Sequence, residues 1–177
     1  MSPAGRRASP DAVEAWLRDL GIEPPARHER EGTAAWDLVL DGLRRFDVRV
    51  TLILDPGAGA VVWVHYAPPI GDSRITSYRK LLRWNDEIPF AKFALATDDR
   101  PVLTAEVPLA LLDRDELGLT LVRTLAICDQ LLEASAGWIW VGGRMPSQAG
   151  RESRQAALFL RYADRLAAVV PAVPPHV

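Results

Sequence analysis

Three histidines and one cysteine are the side chains of this 177-residue chain best suited to acid–base, nucleophilic or metal chemistry. Their spacing favours none of these. His28, His65 and His176 stand far apart, no pair has a spacing such as H-x-x-x-H, and a zinc site needs three or four ligands. His65 reads as a strand-surface or hydrogen-bonded core histidine. Cys128 would become a nucleophile only where a base and an electropositive pocket lower its pKa. It falls on a helical stripe with Leu125 and Leu132, where cysteine behaves as a small hydrophobe. No G-x-S-x-G elbow is present. Gly142-Gly143-Arg144 lacks both the Lys-Ser/Thr of a phosphate loop and the G-x-G-x-x-G of a dinucleotide site, so it reads as a turn. Carboxylates that could pair for acid–base work occur at Asp98-Asp99 and at Asp113, Asp115 and Glu116. The first pair lies in a hairpin turn and the second group loads a helix N-terminus, which explains both. The sequence therefore predicts no catalytic, cofactor-binding or metal-binding residue and no cofactor.

Binding chemistry is better represented. Arg44, Arg45 and Arg49, and Arg79, Lys80 and Arg83, lie near Trp63 and Trp84, and arginine interleaved with aromatics can hold single-stranded nucleic acid. The simpler reading is two solvated faces with local acids such as Asp47. The formal net charge of -2 and pI near 5.9 also lie far from the pI above about 9 expected of a nucleic-acid binder. Trp16, Trp36 and Trp63 fit apolar stripes and are expected in the core. Trp138 and Trp140 fall outside any amphipathic pattern, and alternation would put both on one strand face. Aromatics concentrate in interface cores, so Trp138, Ile139 and Trp140 form the candidate partner-binding segment. A core strand tucked under the last helix is the alternative.

The elements that must position these residues are well punctuated. Ser9 caps a first helix, with Pro10 at its first position and Asp11 in its first turn; Val13, Trp16, Leu17 and Leu20 form its apolar stripe, and Gly21 ends it. Trp36, Leu38 and Leu40 alternate along a strand that Asp41-Gly42 turns as a two-residue hairpin. Phe46, Val48, Val50, Leu52 and Leu54 then face one way, with Arg45, Asp47, Arg49 and Thr51 opposite, as in a sheet with one buried and one solvated face. Val61 to Tyr66 is apolar on both faces, so this strand is central or covered. A second helix runs from about Arg74 to Asp86, with Ser73 as cap and Ile75, Tyr78, Leu82 and Asn85 sharing one face, with Leu81 beside it. Phe90–Ala96 and Val102–Val107 form a second hairpin, with Pro101 at a strand start or an edge. Asp113 with Glu116, and Leu112 with Leu117, mark the start of a third helix by capping box and staple. Its stripe runs through Leu117, Leu121, Leu125, Cys128 and Leu132. A fourth helix spans about Glu152 to Val169, with Ala156, Phe159, Leu160, Ala163, Leu166 and Val170 on one side.

This order predicts an α+β fold: an antiparallel sheet of about five strands with helices packed on it, α-β-β-β-α-β-β-α plus an extra C-terminal helix. At 49% hydrophobic and 25% charged, the chain can build one sizeable core, burying roughly 70% of its unfolded surface. One domain over 1–177 is expected, with 1–8 and 171–177 flexible. A single cysteine allows no intramolecular disulfide and suits a reducing compartment. No run reaches about 18 apolar residues, and no apolar stretch follows Arg6-Arg7. The expected location is the cytoplasm, with no membrane partner.

The segment Leu81-Leu82-Arg83-Trp84-Asn85-Asp86-Glu87-Ile88-Pro89-Phe90-Ala91-Lys92-Phe93-Ala94-Leu95 resembles the YbjN-like group of bacterial sensory transduction regulators, whose pattern includes a helix end of the form N-x-E-hydrophobic-P and the strand after it. Val102 to Val107, Pro108, Leu109 and the Leu-rich helix also fit. The element order from Ser9 to Ala134 is similar to the fold of class I type III secretion chaperones, which makes 135–177 an extension. The resemblance implies a homodimer that binds a protein client, or a regulatory role, with no catalytic residues. An enzyme whose site is assembled from residues distant in sequence, and a nucleic-acid-binding regulator, are the rival readings.

Overall fold

A computed structural model of the chain describes residues 8–70, 75–139 and 150–167. Expectations about 1–7, Ser73, Trp140, Gly142–Arg144 and the tail from Ala168 through His176 lie outside those residues.

The first helix, α1 (Pro10–Asp19), begins where Ser9 Oγ accepts the Ala12 N–H at 3.2 Å. Gly21 adopts φ +75° just after it, the left-handed geometry that closes helices at low cost. Four strands follow: β1 (His28–Arg30), β2 (Thr33–Leu40), β3 (Val48–Asp55) and β4 (Gly59–His65). Then come α2 (Ile75–Glu87), β5 (Ala91–Leu95) and β6 (Pro101–Pro108), a 3-10 turn at Leu109–Leu111, α3 (Arg114–Ala136), α4 (Ala156–Arg161) and α5 (Ala163–Ala167). The six strands form one antiparallel sheet in the order β1-β2-β3-β4-β6-β5, so the α+β class stands. The sixth strand is β1, an edge strand beyond the five that local pattern predicts. It is joined to β2 by a turn in which Glu31 and Gly32 both have positive φ. Glutamate is not among the usual residues at the first such position, so the hairpin carries a weak sequence signal.

Alternation sorts the sheet into two faces. Trp36, Leu38, Val50, Leu52, Val62, Val64, Leu103, Ala105 and Phe93 point into the core and are buried. The helices all lie on that side among the described residues: α3 packs on β4 and β6, α2 on β5, and α1, α4 and α5 on α3. Squeezed between sheet and helices, α3 is buried nearly all round rather than along one stripe, as a helix at the centre of a core must be. Its start is as expected, with the Glu116 N–H on Asp113 Oδ1 at 2.8 Å.

Three expectations fail at boundaries where long-range contacts overrule local pattern. Asp41-Gly42 is not a two-residue hairpin. The chain loops from 41 to 47 around the Asp129 carboxylate, which takes the backbone N–H groups of Leu43, Arg44 and Arg45 at 2.6, 3.0 and 2.7 Å. Strand β3 thus starts at Val48, and Arg45 is buried instead of solvated. In α2 the buried side is Ser77, Leu81 and Trp84, while Ile75 and Leu82 are 62% and 66% exposed. Trp84 sets this rotation, because its ring lies 5.6 Å from that of Phe93 and 5.1 Å from that of Trp138, and a buried indole outweighs an aliphatic side chain. The fourth helix is two short ones that break at Tyr162, and it starts at Ala156 because residues 151–155 turn towards Asp41. Leu158, Phe159 and Tyr162 face the core, and Leu160 is 79% exposed.

Candidate functional site: the open sheet face

The side chains that looked reactive are scattered by the fold. His28 is exposed on β1, 3.9 Å from Asp37. Cys128 is buried in α3, and burial pushes its thiol up to about 11. Burial also raises Tyr66, whose hydroxyl lies 3.1 Å from Ser135 Oγ and 3.3 Å from the Leu131 carbonyl. Both shifts favour the unreactive protonated form, the reverse of what a nucleophile or base requires. Asp98 pairs with Arg100 at 2.8 Å, and Asp113 caps α3. Among the described residues no group of three or more His, Cys, Asp or Glu could hold a metal ion.

The arginine–aromatic groups disperse as well. Arg44 pairs with Glu133, and Arg45 donates to the Tyr66 carbonyl while stacking 4.6 Å over its ring. Trp84 is buried, whereas Arg79, Lys80 and Arg83 are exposed. In the proposed partner segment, Ile139 is in the core. Trp138 is half-buried, donating to the Ala134 carbonyl at 2.6 Å under the Lys80 ammonium, and Trp140 lies outside the described residues.

Among the described residues, what remains open is the second face of the sheet. Cross-strand register lays Asp37 beside Thr51 and Thr51 beside Trp63, which lies beside Thr104. One row along, Ala35, Ile53, Val61 and Glu106 line up. In the opposite direction Val39 pairs with Arg49, and His65 with Val102. Trp63, Ile53, Val61 and Thr51 are half-buried, and Val39 is 48% exposed. Trp63 was expected in the core; it sits on this face because it is one residue out of phase with Val62 and Val64. His65 Nε2 lies 3.2 Å from Thr51 Oγ1, which also donates to Asp37 Oδ1 at 2.7 Å. Burial first, then the neighbouring charges of Arg100 and Arg49, lowers the pKa of His65 below its ordinary value of 6.5.

The β5 edge is occupied by a side chain. Asn85 Oδ1 accepts the Phe93 N–H at 2.6 Å and Asn85 Nδ2 donates to the Phe93 carbonyl at 3.0 Å. The amide thus imitates the next strand and uses the groups that an incoming strand would pair with. Lys92 closes the same corner by donating to the Asn85 and Ile88 carbonyls at the end of α2.

A second cluster, which sequence reasoning missed, ties the C-terminal segment to the loop at 41–47. The side chain of Asp41 is fully buried. It accepts from Arg151 Nη2 at 2.9 Å, from Arg154 N, Nε and Nη2 at 3.1, 2.8 and 2.8 Å, and from Asp47 N at 2.9 Å. Burial alone would raise this carboxyl, but the Arg154 bond and the backbone donors hold it well below the usual range. Gln155 Oε1 takes the Asp41 N–H at 2.6 Å. No local pattern could reveal this, because the partners stand more than a hundred residues apart.

A search among curated proteins finds no match. The family profile YbjN, described as "Putative bacterial sensory transduction regulator", matches residues 9–136, the span from the α1 cap to the end of α3. The Asn85–Pro89 motif lies within it, at the corner where that asparagine seals β5, and the chain belongs to the YbjN family.

Proposed function

We propose that this protein is a non-catalytic regulator that acts in the cytoplasm as a homodimer by binding another polypeptide across the open face of its sheet. The observation that supports this reading is the one-sided layering: every described helix covers one face, and Trp63, Ile53, Val61 and Val39 stay partly open on the other. Large aromatic and β-branched side chains on an uncovered sheet are the kind of surface that protein partners bury. The sealed β5 edge directs a partner to the face rather than to strand addition there. Membership of a family of regulators agrees with this, as does the direction in which Cys128 and Tyr66 are shifted.

A photo-crosslinking residue placed at position 63 in bacterial cells tests the surface. A discrete protein adduct is expected there and not from the same residue at position 160, on the helical side. Identical adduct patterns from the two positions would overturn the reading. Light scattering of the purified chain at micromolar concentration tests the homodimer, for which twice the monomer mass of 19.5 kDa is expected.

A further inference from the structure

One end of the open face carries two adjoining grooves that share Arg49, His65 and Arg100 in their walls. One, of about 380 Å3, runs beneath Ala67–Pro69. The other, of about 520 Å3, runs along Asp37–Val39 past Thr51. Volumes of this order accommodate a few side chains.

The charges along these walls are unequally answered. Asp37 is held by Thr51 and lies near His28. Asp47 is paired with Arg151 and Arg154 at 2.9 and 2.8 Å. Asp98 engages Arg100 through Nη2, and the buried Nε of Arg100 has no acceptor among the described residues. Arg49 is exposed, and its side chain has no hydrogen bond or ion pair with another described residue. The basicity of His65 is depressed by burial first and by Arg100 and Arg49, against opposing pulls from Asp37 and Asp98. Beyond the cationic end, the face turns apolar: Trp63 lies one strand across and two residues along from Arg49, a separation of about 8 Å from strand spacing and rise.

We propose that this groove binds an acidic segment of the partner polypeptide, with a carboxylate seated on Arg49 and Arg100 and a neighbouring apolar side chain on Trp63. The proposal rests on the function given above and adds the chemistry of the partner. An extended segment with acidic and apolar residues close together matches both halves of the surface. A phosphate chain, charged at every unit, fits less well, because it would also run past Asp37 and Glu106, exposed on the same face, whereas a peptide can place its carboxylate at the cationic end and apolar side chains elsewhere.

The test is fluorescence anisotropy on the full chain with three labelled probes: a peptide alternating Glu and Leu, its Lys and Leu counterpart, and a single-stranded oligonucleotide. The acidic peptide is expected to bind, to weaken with added salt, and to lose roughly tenfold in affinity with Arg49→Glu, as for a charge pair at a binding surface. The Arg49 side chain makes no hydrogen bond or ion pair among the described residues, so the variant should melt close to the wild type; Arg100→Gln should weaken binding in the same direction. Absence of acidic-peptide binding at millimolar concentration, equal binding of the basic peptide, indifference to Arg49→Glu, or tighter binding of the oligonucleotide would each overturn the proposal. If the adduct at position 63 persists while the acidic peptide fails, the groove chemistry is wrong and the open-face reading survives; loss of both removes the open-face reading.

Discussion

His65 and Asp41 show how differently the same fold treats two ionisable side chains. His65 is desolvated and faces Arg100 and Arg49, so the folded chain prefers it neutral. The unfolded chain binds that proton more readily, so this contribution is complete above the unfolded value near pH 6.5 and is lost below it, as pH falls through the lower folded pKa. The His65 ring resonances should titrate with a midpoint below 6.5 in NMR spectra, and Arg100→Gln should move that midpoint upward. An unchanged midpoint in the variant would show that Arg100 does not reach the ring. Asp41 is the opposite case, a carboxylate held by two guanidinium groups and backbone donors. Its folded pKa is depressed, so its contribution is complete above the unfolded value of about 3.9 and fades at more acid pH. Removing a buried partner costs about 3 kcal/mol, and Asp41→Ala should destabilise by that order in urea unfolding at pH 7. The difference from wild type should shrink towards pH 3.

At the scale of elements, Asn85 determines how β5 ends the sheet. Its amide makes two hydrogen bonds to Phe93, one as donor and one as acceptor, so Asn85→Ala exposes a strand edge and strands two backbone groups. A loss of about 1–3 kcal/mol follows from such unmade bonds, with a rise in aggregation on heating that can be read by light scattering. Asn85→Asp keeps the acceptor and loses the donor, and should fall between the two. The signature N-x-E-hydrophobic-P is visible in the sequence, but its physical purpose is not. It becomes apparent only when the helix end is seen against the strand eight residues later.

For the whole molecule, the segment 150–167 is not an appendage. Arg151, Arg154 and Gln155 enclose Asp41, and Tyr162 fits over Gly118 so closely that a Cβ there would overlap the phenol and Leu20. Deleting residues 150–177 should therefore lower the urea midpoint of the entire domain in one cooperative transition. A second, earlier transition in the intact chain, seen by circular dichroism but not by core tryptophan fluorescence, would show that the segment folds separately. Much of the fold was legible beforehand because it is written in local pattern. The Ser9 and Asp113 caps, the alternation along β3 and the central place of β4 follow from side-chain chemistry over a few residues, and so did the α+β class and the family. The rest depended on contacts between distant residues. Trp84 turns α2 towards Phe93 and Trp138, Asp129 draws the 41–47 loop around itself, and Arg49, His65 and Arg100 meet only because β3, β4 and the turn before β6 end at the same side of the sheet. Periodicity specifies that a face exists; which face is covered, and which charges converge at its open end, is decided by packing energies summed over the whole chain.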